Sequence, residues 1–281
     1  MPFDLDDLLD CLDLAPGEDG LEGRNLDIGY HRVFGGQVLA QIVCAAASAT
    51  PDRASTPDKT VKSLHVLFPR EGDTALPMQY RVAALQSGRT FGTTEVVAHQ
   101  AGRVTAAALV SMHAHEDGLD RNEPPPPTAP PQDAALQDLG MVPWETRIVD
   151  GVDLADRSPG PAALRWWMRT PPISAPDGVP EPAVHQALLA HATDLTLIGT
   201  ALRPFDGISQ ADSTVTLHTA VTSHTLWFHR PFRVDDWLLV VQEAPVVAHG
   251  RSHGRGDVFA GDQLVASFAQ EAMIRRVGDD S

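Results

Sequence analysis

Lysine is almost absent from this chain. It occurs only at Lys59 and Lys62, so nearly every cation is an arginine. Positive charge as a whole is scarce: 21 Lys and Arg face 37 Asp and Glu, a formal net charge of −16. A surface this acidic repels a phosphate backbone, so a nucleic-acid partner is not expected, and an anionic small ligand would need a local cluster of arginine. Cysteine is as rare, with Cys11 and Cys44 the only two. Two thiols supply neither a disulfide framework nor a Cys-based zinc site, and a reducing compartment is the simplest expectation. No run of about 18 uncharged apolar residues occurs, so no membrane-spanning helix is expected. The first residues, Met1-Pro-Phe-Asp-Leu-Asp-Asp7, are acidic where a secretory leader is basic and then apolar. The last, Gly278-Asp-Asp-Ser281, are not a peroxisomal Ser-Lys-Leu address, and a cytoplasmic location is the expectation.

Against these absences stands a hydrophobic content of 43% in 281 residues, enough for a sizeable core and enough to exclude wholesale disorder. One composition break divides the chain. Residues 116–133 are charged and then proline-rich without apolar periodicity, which reads as an extended polyproline tether. Its flanks repeat each other. Ser63-Leu-His-Val-Leu-Phe-Pro-Arg70 returns as Ser223-His-Thr-Leu-Trp-Phe-His-Arg230, an offset of 160, and Gly88-Arg89-Thr90 as Gly250-Arg251-Ser252. Both copies continue into an apolar stretch, a short glycine-containing turn (Gln100-Ala-Gly-Arg103 or Ala260-Gly-Asp-Gln263) and a last strand. Four matches in one order argue for duplication. Each copy also has a helix ahead of its strands: Gln37–Ser48, Ala-rich and apolar nearly all round, and Val184–Ile198. The stretches 60–115 and 212–277 hold strands at hairpin spacing and no helices. The class is therefore α+β, an antiparallel sheet on one long helix, twice over. The expected division is a first repeat at 1–116, a linker at 117–143 and a second repeat at 144–281.

Val33-Phe-Gly-Gly-Gln-Val38, His185-Gln-Ala-Leu-Leu-Ala190, Leu226-Trp-Phe-His-Arg-Pro-Phe232 and Val265-Ala-Ser-Phe-Ala-Gln-Glu271 carry a family resemblance. Together they resemble signature segments of the acyl-CoA thioesterase II family, over about residues 5–276. The resemblance implies a double hotdog fold, two helices each wrapped by a sheet with the sheets joined edge to edge, and a homo-oligomer of such units. It also implies hydrolysis of fatty acyl-CoA to free acid and CoA, with no cofactor, no metal and no covalent intermediate. In the family an Asp, a hydroxyl residue and a Gln hold the attacking water. A thioester is an activated acyl group, so a positioned water and a general base suffice.

Carried over by motif, Asp194 matches the aspartate. Its position at the end of an apolar helix and before Leu195-Thr-Leu-Ile198 suits a buried base rather than a solvated carboxylate. Gln270 matches the glutamine, and its period-two partners Phe268 and Ala266 place it on a buried strand face. The hydroxyl position falls on Val221, which can neither donate nor accept. Thr222 would reach the site only through a bulge or register shift, and Ser223 shares the face of Val221 in an unbroken strand. Counterparts in the first half, near Ala45, Val61 and Val110, are all apolar, so that repeat is expected to be catalytically empty.

Two readings from other classes remain open. One is a non-catalytic acyl-CoA binding or sensing protein that kept the fold after losing its hydroxyl. The other is a serine esterase, since Gly250-Arg-Ser-His-Gly254 spells the nucleophile elbow around Ser252. That elbow needs a following helix and a later histidine, and the only histidine after Ser252 is its neighbour His253. The twelve histidines show no His-Glu-x-x-His, and His113 and His115 lack a second pair. Arg230, Arg251 and Arg255 are candidates for holding CoA phosphates or, alternatively, for ordinary ion pairs. Trp166-Trp167 reads as a strand entering the second core, with lining of an acyl pocket as a second possibility.

Overall fold

The longest strands follow from period-two alternation of apolar residues. From Ala266 to Ile274 the even-numbered residues are buried and the odd ones partly exposed, which fixes one inward face for the whole strand. A computed structural model describes residues 3–29, 32–49, 58–213 and 215–278. In its first half α1 (Leu5–Leu12), β1 (Ala15–Gly17) and β2 (Gly20–Gly23) precede α2 (Gly35–Ser48). Four long strands follow, β3 (Lys59–Leu67), β4 (Met78–Ser87), β5 (Phe91–Gln100) and β6 (Arg103–Ala114). The second half has β7 (Ala135–Leu136), β8 (Glu145–Ile148) and β9 (Ala163–Arg169), then α3 (Glu181–Thr193) and the short α4 (Leu197–Leu202). It ends in β10 (Leu217–Phe228), β11 (Leu238–Ala248), β12 (Arg251–Ala260) and β13 (Gln263–Arg276).

All the strands belong to one antiparallel sheet in the order β1-β2-β4-β5-β6-β3-β10-β13-β12-β11-β9-β8-β7. The two halves meet where β3 pairs with β10, Thr225 standing opposite His65 and Trp227 opposite Ser63. Under the sequence repeat His65 and Thr225 are equivalent positions, so a pseudo-twofold axis passes through this one pair. The ring Nδ1 of His65 lies 2.5 Å from Thr225 Oγ1 across it. The repeat extends to irregularities: a bulge leaves Lys62 unpaired between β3 and β6, and the equivalent bulge leaves Thr222 unpaired between β10 and β13. The fold is thus the α+β double hotdog expected. The turn Ala101-Gly102 has both residues at positive φ, as a two-residue hairpin loop of this twist requires.

Inside the sheet lie α2 and α3. Gly36 through Ala47 are all buried, as are Ala183 through Thr193, which is why neither helix carries a polar stripe. The start of α2 presses on the end of α3. A Cβ at Gly36 would stand 2.5 Å from the carbonyl oxygen of His191 and would also strike the Phe34 ring, so only glycine allows this approach. The second helix is shorter than its apolar run suggests. It stops at Thr193, where the Asp194 side chain meets the start of α2, and α4 begins afresh at Leu197.

The proline-rich segment is extended but docked rather than free. Proline lacks an N–H and leaves its carbonyls open, and donors on the sheet use them. Arg165 Nη1 donates to Pro127 O at 2.7 Å and Trp167 Nε1 to Ala129 O at 2.9 Å, while in the other direction Asn122 Nδ2 of the segment donates to Asp262 O in the β12–β13 turn at 2.9 Å.

The helix contact generates a stability prediction. Gly36→Ala forces the two helices apart and should cost about 1–3 kcal/mol, the scale of overpacking in a dense core. Denaturant unfolding of the parent and the variant measures it.

Candidate active site

Asp194 occupies the residue immediately after α3 and is only 4% exposed. What admits its carboxylate is the absence of side chains opposite: a Cβ on Gly35 would lie 2.7 Å from Oδ2. Burial pushes the Asp194 carboxyl up to about 7, and a hydrogen bond from the Gly36 backbone N–H partly opposes that rise. Oδ2 lies on the glycine side, whereas Oδ1 has no hydrogen-bond partner.

Facing Oδ1 at 3.7 Å is Nδ1 of His224, a ring with 0% exposure. The Thr193 hydroxyl donates to Ala190 O at 3.0 Å, so its oxygen is left to accept from His224 Nε2, 3.2 Å away. That bond places the imidazole proton on Nε2 and turns a bare Nδ1 lone pair toward the carboxylate. Burial drives the His224 pKa down to about 3, so the ring is neutral at ordinary pH. Gln270 stands directly opposite His224 in the β10–β13 register. It is 3% exposed, and neither atom of its amide has a partner. Phe268 stacks nearly parallel to the His224 ring, 5° apart in plane. Three buried polar groups with open hydrogen-bonding positions, Asp194, His224 and Gln270, therefore converge in one apolar setting.

Asp194 and Gln270 are both buried and each neighbours His224, the first at 3.7 Å and the second across the β10–β13 ladder, while the other two candidates lie elsewhere. Thr222 is the bulged residue, and its hydroxyl donates to Glu271 O at 3.1 Å and lies 3.3 Å from Glu271 Oε1. Ser223 pairs with Glu271, on the face opposite Gln270. Val221 pairs with the buried Ala272 and so shares the face of Gln270, an apolar side chain at the hydroxyl position. The bulge has another effect. It shifts the alternation by one residue, so that His224 points inward where an unbroken strand would send it outward. Sequence reasoning missed His224 for that reason, although it stands inside the quoted Ser223-His-Thr segment. In the first repeat Val61 and Val110 are buried and apolar, as expected. For the helix, pairing Gly35 with Glu181 as first residues puts Ser48, not Ala45, at the counterpart of Asp194.

The remaining candidates have ordinary settings. After Gly250, at φ 71°, Ser252 enters strand β12 and not a helix, so the residues form a hairpin and not an elbow. Arg230 pairs with Asp120, Arg251 with Glu271 at 3.3 Å and Arg255 with Glu243 at 2.6 Å. His113 lies 2.9 Å from Glu116, and among the described residues no three His, Cys, Asp or Glu side chains gather as metal ligands would. Trp166 is in the core beside Gln242, and Trp167 holds the linker. Among the described residues no helix is long and apolar enough to cross a membrane.

Two helices wrapped by one duplicated sheet, with a buried carboxylate at the helix junction and a buried amide on the strand beside His224, define the class as a double hotdog protein of the thioesterase type. Residues 24–113 match the family model described as acyl-CoA thioesterase N-terminal domain, and residues 119–274 match its C-terminal domain. Acyl-CoA thioesterase 2 of Haemophilus influenzae is 30% identical, covering 96% of this chain and 98% of its own. Acyl-coenzyme A thioesterase 8 of Homo sapiens is 28% identical over 94% of this chain and 87% of its own. Among solved structures, acyl-CoA thioesterase II TesB2 of Mycobacterium marinum is 31% identical, with a TM-score of 0.74 over 98% of this chain and 99% of that one. The chain belongs to the acyl-CoA thioesterase family and is a thioester hydrolase.

The buried carboxylate ties the site to stability. Asp194 has a folded pKa of about 7, above the ordinary carboxylate value, so folding takes up a proton between the two. The resulting stabilisation is complete below the unfolded pKa, near 4, and is lost as pH rises through about 7. Asp194→Asn carries no charge at any pH. Its unfolding free energy relative to the parent should therefore climb from pH 4 to pH 7 and level off above. Paired denaturant curves across that range check the sign.

Proposed function

We propose that this protein hydrolyses fatty acyl-CoA by direct attack of a water held between Asp194 and His224. The observation that carries the reading is the buried trio of open groups: Asp194 Oδ1 and His224 Nδ1, both acceptors 3.7 Å apart, and the free Gln270 amide beside them. A water that donates one proton to each acceptor turns a lone pair away from both, toward a thioester carbonyl carbon. As the carbon–oxygen bond forms, the proton passes to Asp194. His224 is a poor recipient, because a group with a pKa of about 3 is a far weaker base than one of about 7. Gln270 Nε2 donates to the developing oxyanion. When the carbonyl re-forms, the carbon–sulfur bond breaks and Asp194 returns its proton to the departing sulfur, giving the carboxylic acid and the CoA thiol. In this scheme His224 supplies the acceptor that the hydroxyl gives elsewhere in the family, which leaves Val221 free to be apolar.

Turnover of an acyl-CoA series, read with a thiol-trapping dye, tests the scheme. The parent's kcat/KM should rise with pH around a midpoint of about 7, since only the ionised Asp194 accepts a proton. Asp194→Asn should lose about 10²–10⁴-fold, the usual scale for a general base. Gln270→Leu should lose about 10²–10³-fold in kcat, as for removal of one oxyanion donor. An Asp194→Asn enzyme as fast as the parent would sink the mechanism. A parent that binds acyl-CoA tightly without turning it over would favour the sensing reading instead.

The place of His224 is tested separately. His224→Phe removes one hydrogen bond to the water and should cost about five- to thirtyfold, equivalent to roughly 1–2 kcal/mol. Adding Val221→Thr to that variant restores a hydroxyl on the same face and should recover part of the loss, whereas Thr222→Val and Ser223→Ala should change little. A full loss of rate on Thr222→Val would transfer the role to that hydroxyl.

A further inference from the structure

The pseudo-twofold axis carries the active-site neighbourhood onto a second place, and that place is open. The bulge at Thr222 maps to the bulge at Lys62, Val221 to Val61, and the start of α2 to the start of α3. A cleft of about 1050 Å3 lies there, with Val61, Lys62, Glu181 and Pro182 in its walls. It stands at the far end of α3 from Asp194. The hydrolytic groups have no counterparts in it: His224 and Gln270 correspond to Leu64 and Val110, both buried and apolar.

What the cleft has instead is a pair of buried polar atoms without partners. His185 is 3% exposed, and its Nδ1 accepts the Val234 backbone N–H at 3.2 Å. The neutral ring therefore carries its proton on Nε2, which is unpartnered and stands 3.6 Å from the nearest Glu181 oxygen. Gln186 is 7% exposed, and its Nε2 donates to Val61 O at 2.7 Å, leaving Oε1 unpartnered. His185 and Gln186 both line the cleft, and just beneath its surface they hold one donor, with only the long Glu181 contact, and one open acceptor, the complement of the C=O and N–H of a secondary amide. Phe228, Phe232 and Leu264 supply apolar wall around them. The arginines of the cleft are paired, Arg121 with Glu123, Arg230 with Asp120 and Arg233 with Glu181 and Asp235, and Lys62 lies over the Phe91 ring, so they form no open cluster for phosphate.

We propose that this cleft is a second, non-hydrolytic site that binds the amide-bearing pantetheine arm of CoA or acyl-CoA through His185 and Gln186. The proposal rests on acyl-CoA as the ligand of the chain, and it is tested by binding stoichiometry, separately from turnover. The probe is an S-alkyl-CoA thioether, which cannot be hydrolysed, titrated calorimetrically into the full chain. Two sites per chain are expected, with pantetheine alone competing at one of them. Gln186→Leu removes the acceptor. Gly118→Trp fills the cleft from its charged strap, where a Cβ meets nothing within 4 Å. Each should weaken the second site at least tenfold while the first site and acyl-CoA hydrolysis stay as in the parent. A single site in the parent overturns the proposal, as does a second site indifferent to both variants. Competition by CoA but not by pantetheine overturns the amide assignment. Failure of Asp194→Asn to slow hydrolysis would count against the mechanism alone, since it leaves the stoichiometry unaffected.

Discussion

Everything at the candidate site depends on how closely the start of α2 can approach the end of α3. Gly35 and Gly36 have no Cβ, and each missing atom is replaced by part of the other helix: the Asp194 carboxylate in one case, the His191 carbonyl in the other. This contact lies at the end of α3, removes Asp194 from water and supplies the one backbone N–H that holds it. The raised pKa follows from the same closeness, since desolvation outweighs a single hydrogen bond. A carboxylate held near neutrality is strong enough as a base to take a proton from water during attack and acidic enough to return it to sulfur.

Duplication gives the molecule two such junctions, and the sequence has treated them differently. One copy of the strand pair carries His224 opposite Gln270, and the other carries Leu64 opposite Val110. Both copies keep the bulge. In the second repeat it turns His224 inward, and in the first it keeps Leu64 packed in the core. The backbone device is thus shared while the polar pair stands on one side only. The two halves cannot be parted without exposing the β3 and β10 edges to solvent, where unpaired strand groups invite aggregation. The first repeat is therefore needed to close the sheet whatever its own chemistry.

The linker shows how composition and tertiary structure divide the information. Proline content dictates an extended chain, and the structure agrees. Composition has nothing to say about docking, because the donors that hold Pro127 and Ala129 come from Arg165 and Trp167 on a strand far along the chain. The arginines are a similar case. Their scarcity marks Arg230, Arg251 and Arg255 as candidates for phosphate, yet each has a carboxylate within reach once the strands are registered.

The sequence by itself determined the duplication, the α+β class, the two buried helices and the hairpin order. These rest on periodicity, glycine turns and an internal offset, all local or translational signals. It also placed Asp194 and Gln270 on buried faces, because a helix end beside an apolar run and a period-two strand can be read without a partner. Only the tertiary structure decided that His224 neighbours them, that the Thr222 hydroxyl turns to Glu271 and that Ser223 lies on the opposite face. The reason is physical. A single bulged residue reverses the facing of every residue after it, and whether a bulge forms is settled by the register of the neighbouring strand, not by the residues of the strand that bends. The paired open atoms of His185 and Gln186 were hidden in the same way, for what a buried side chain lacks is known only once all its neighbours are in place.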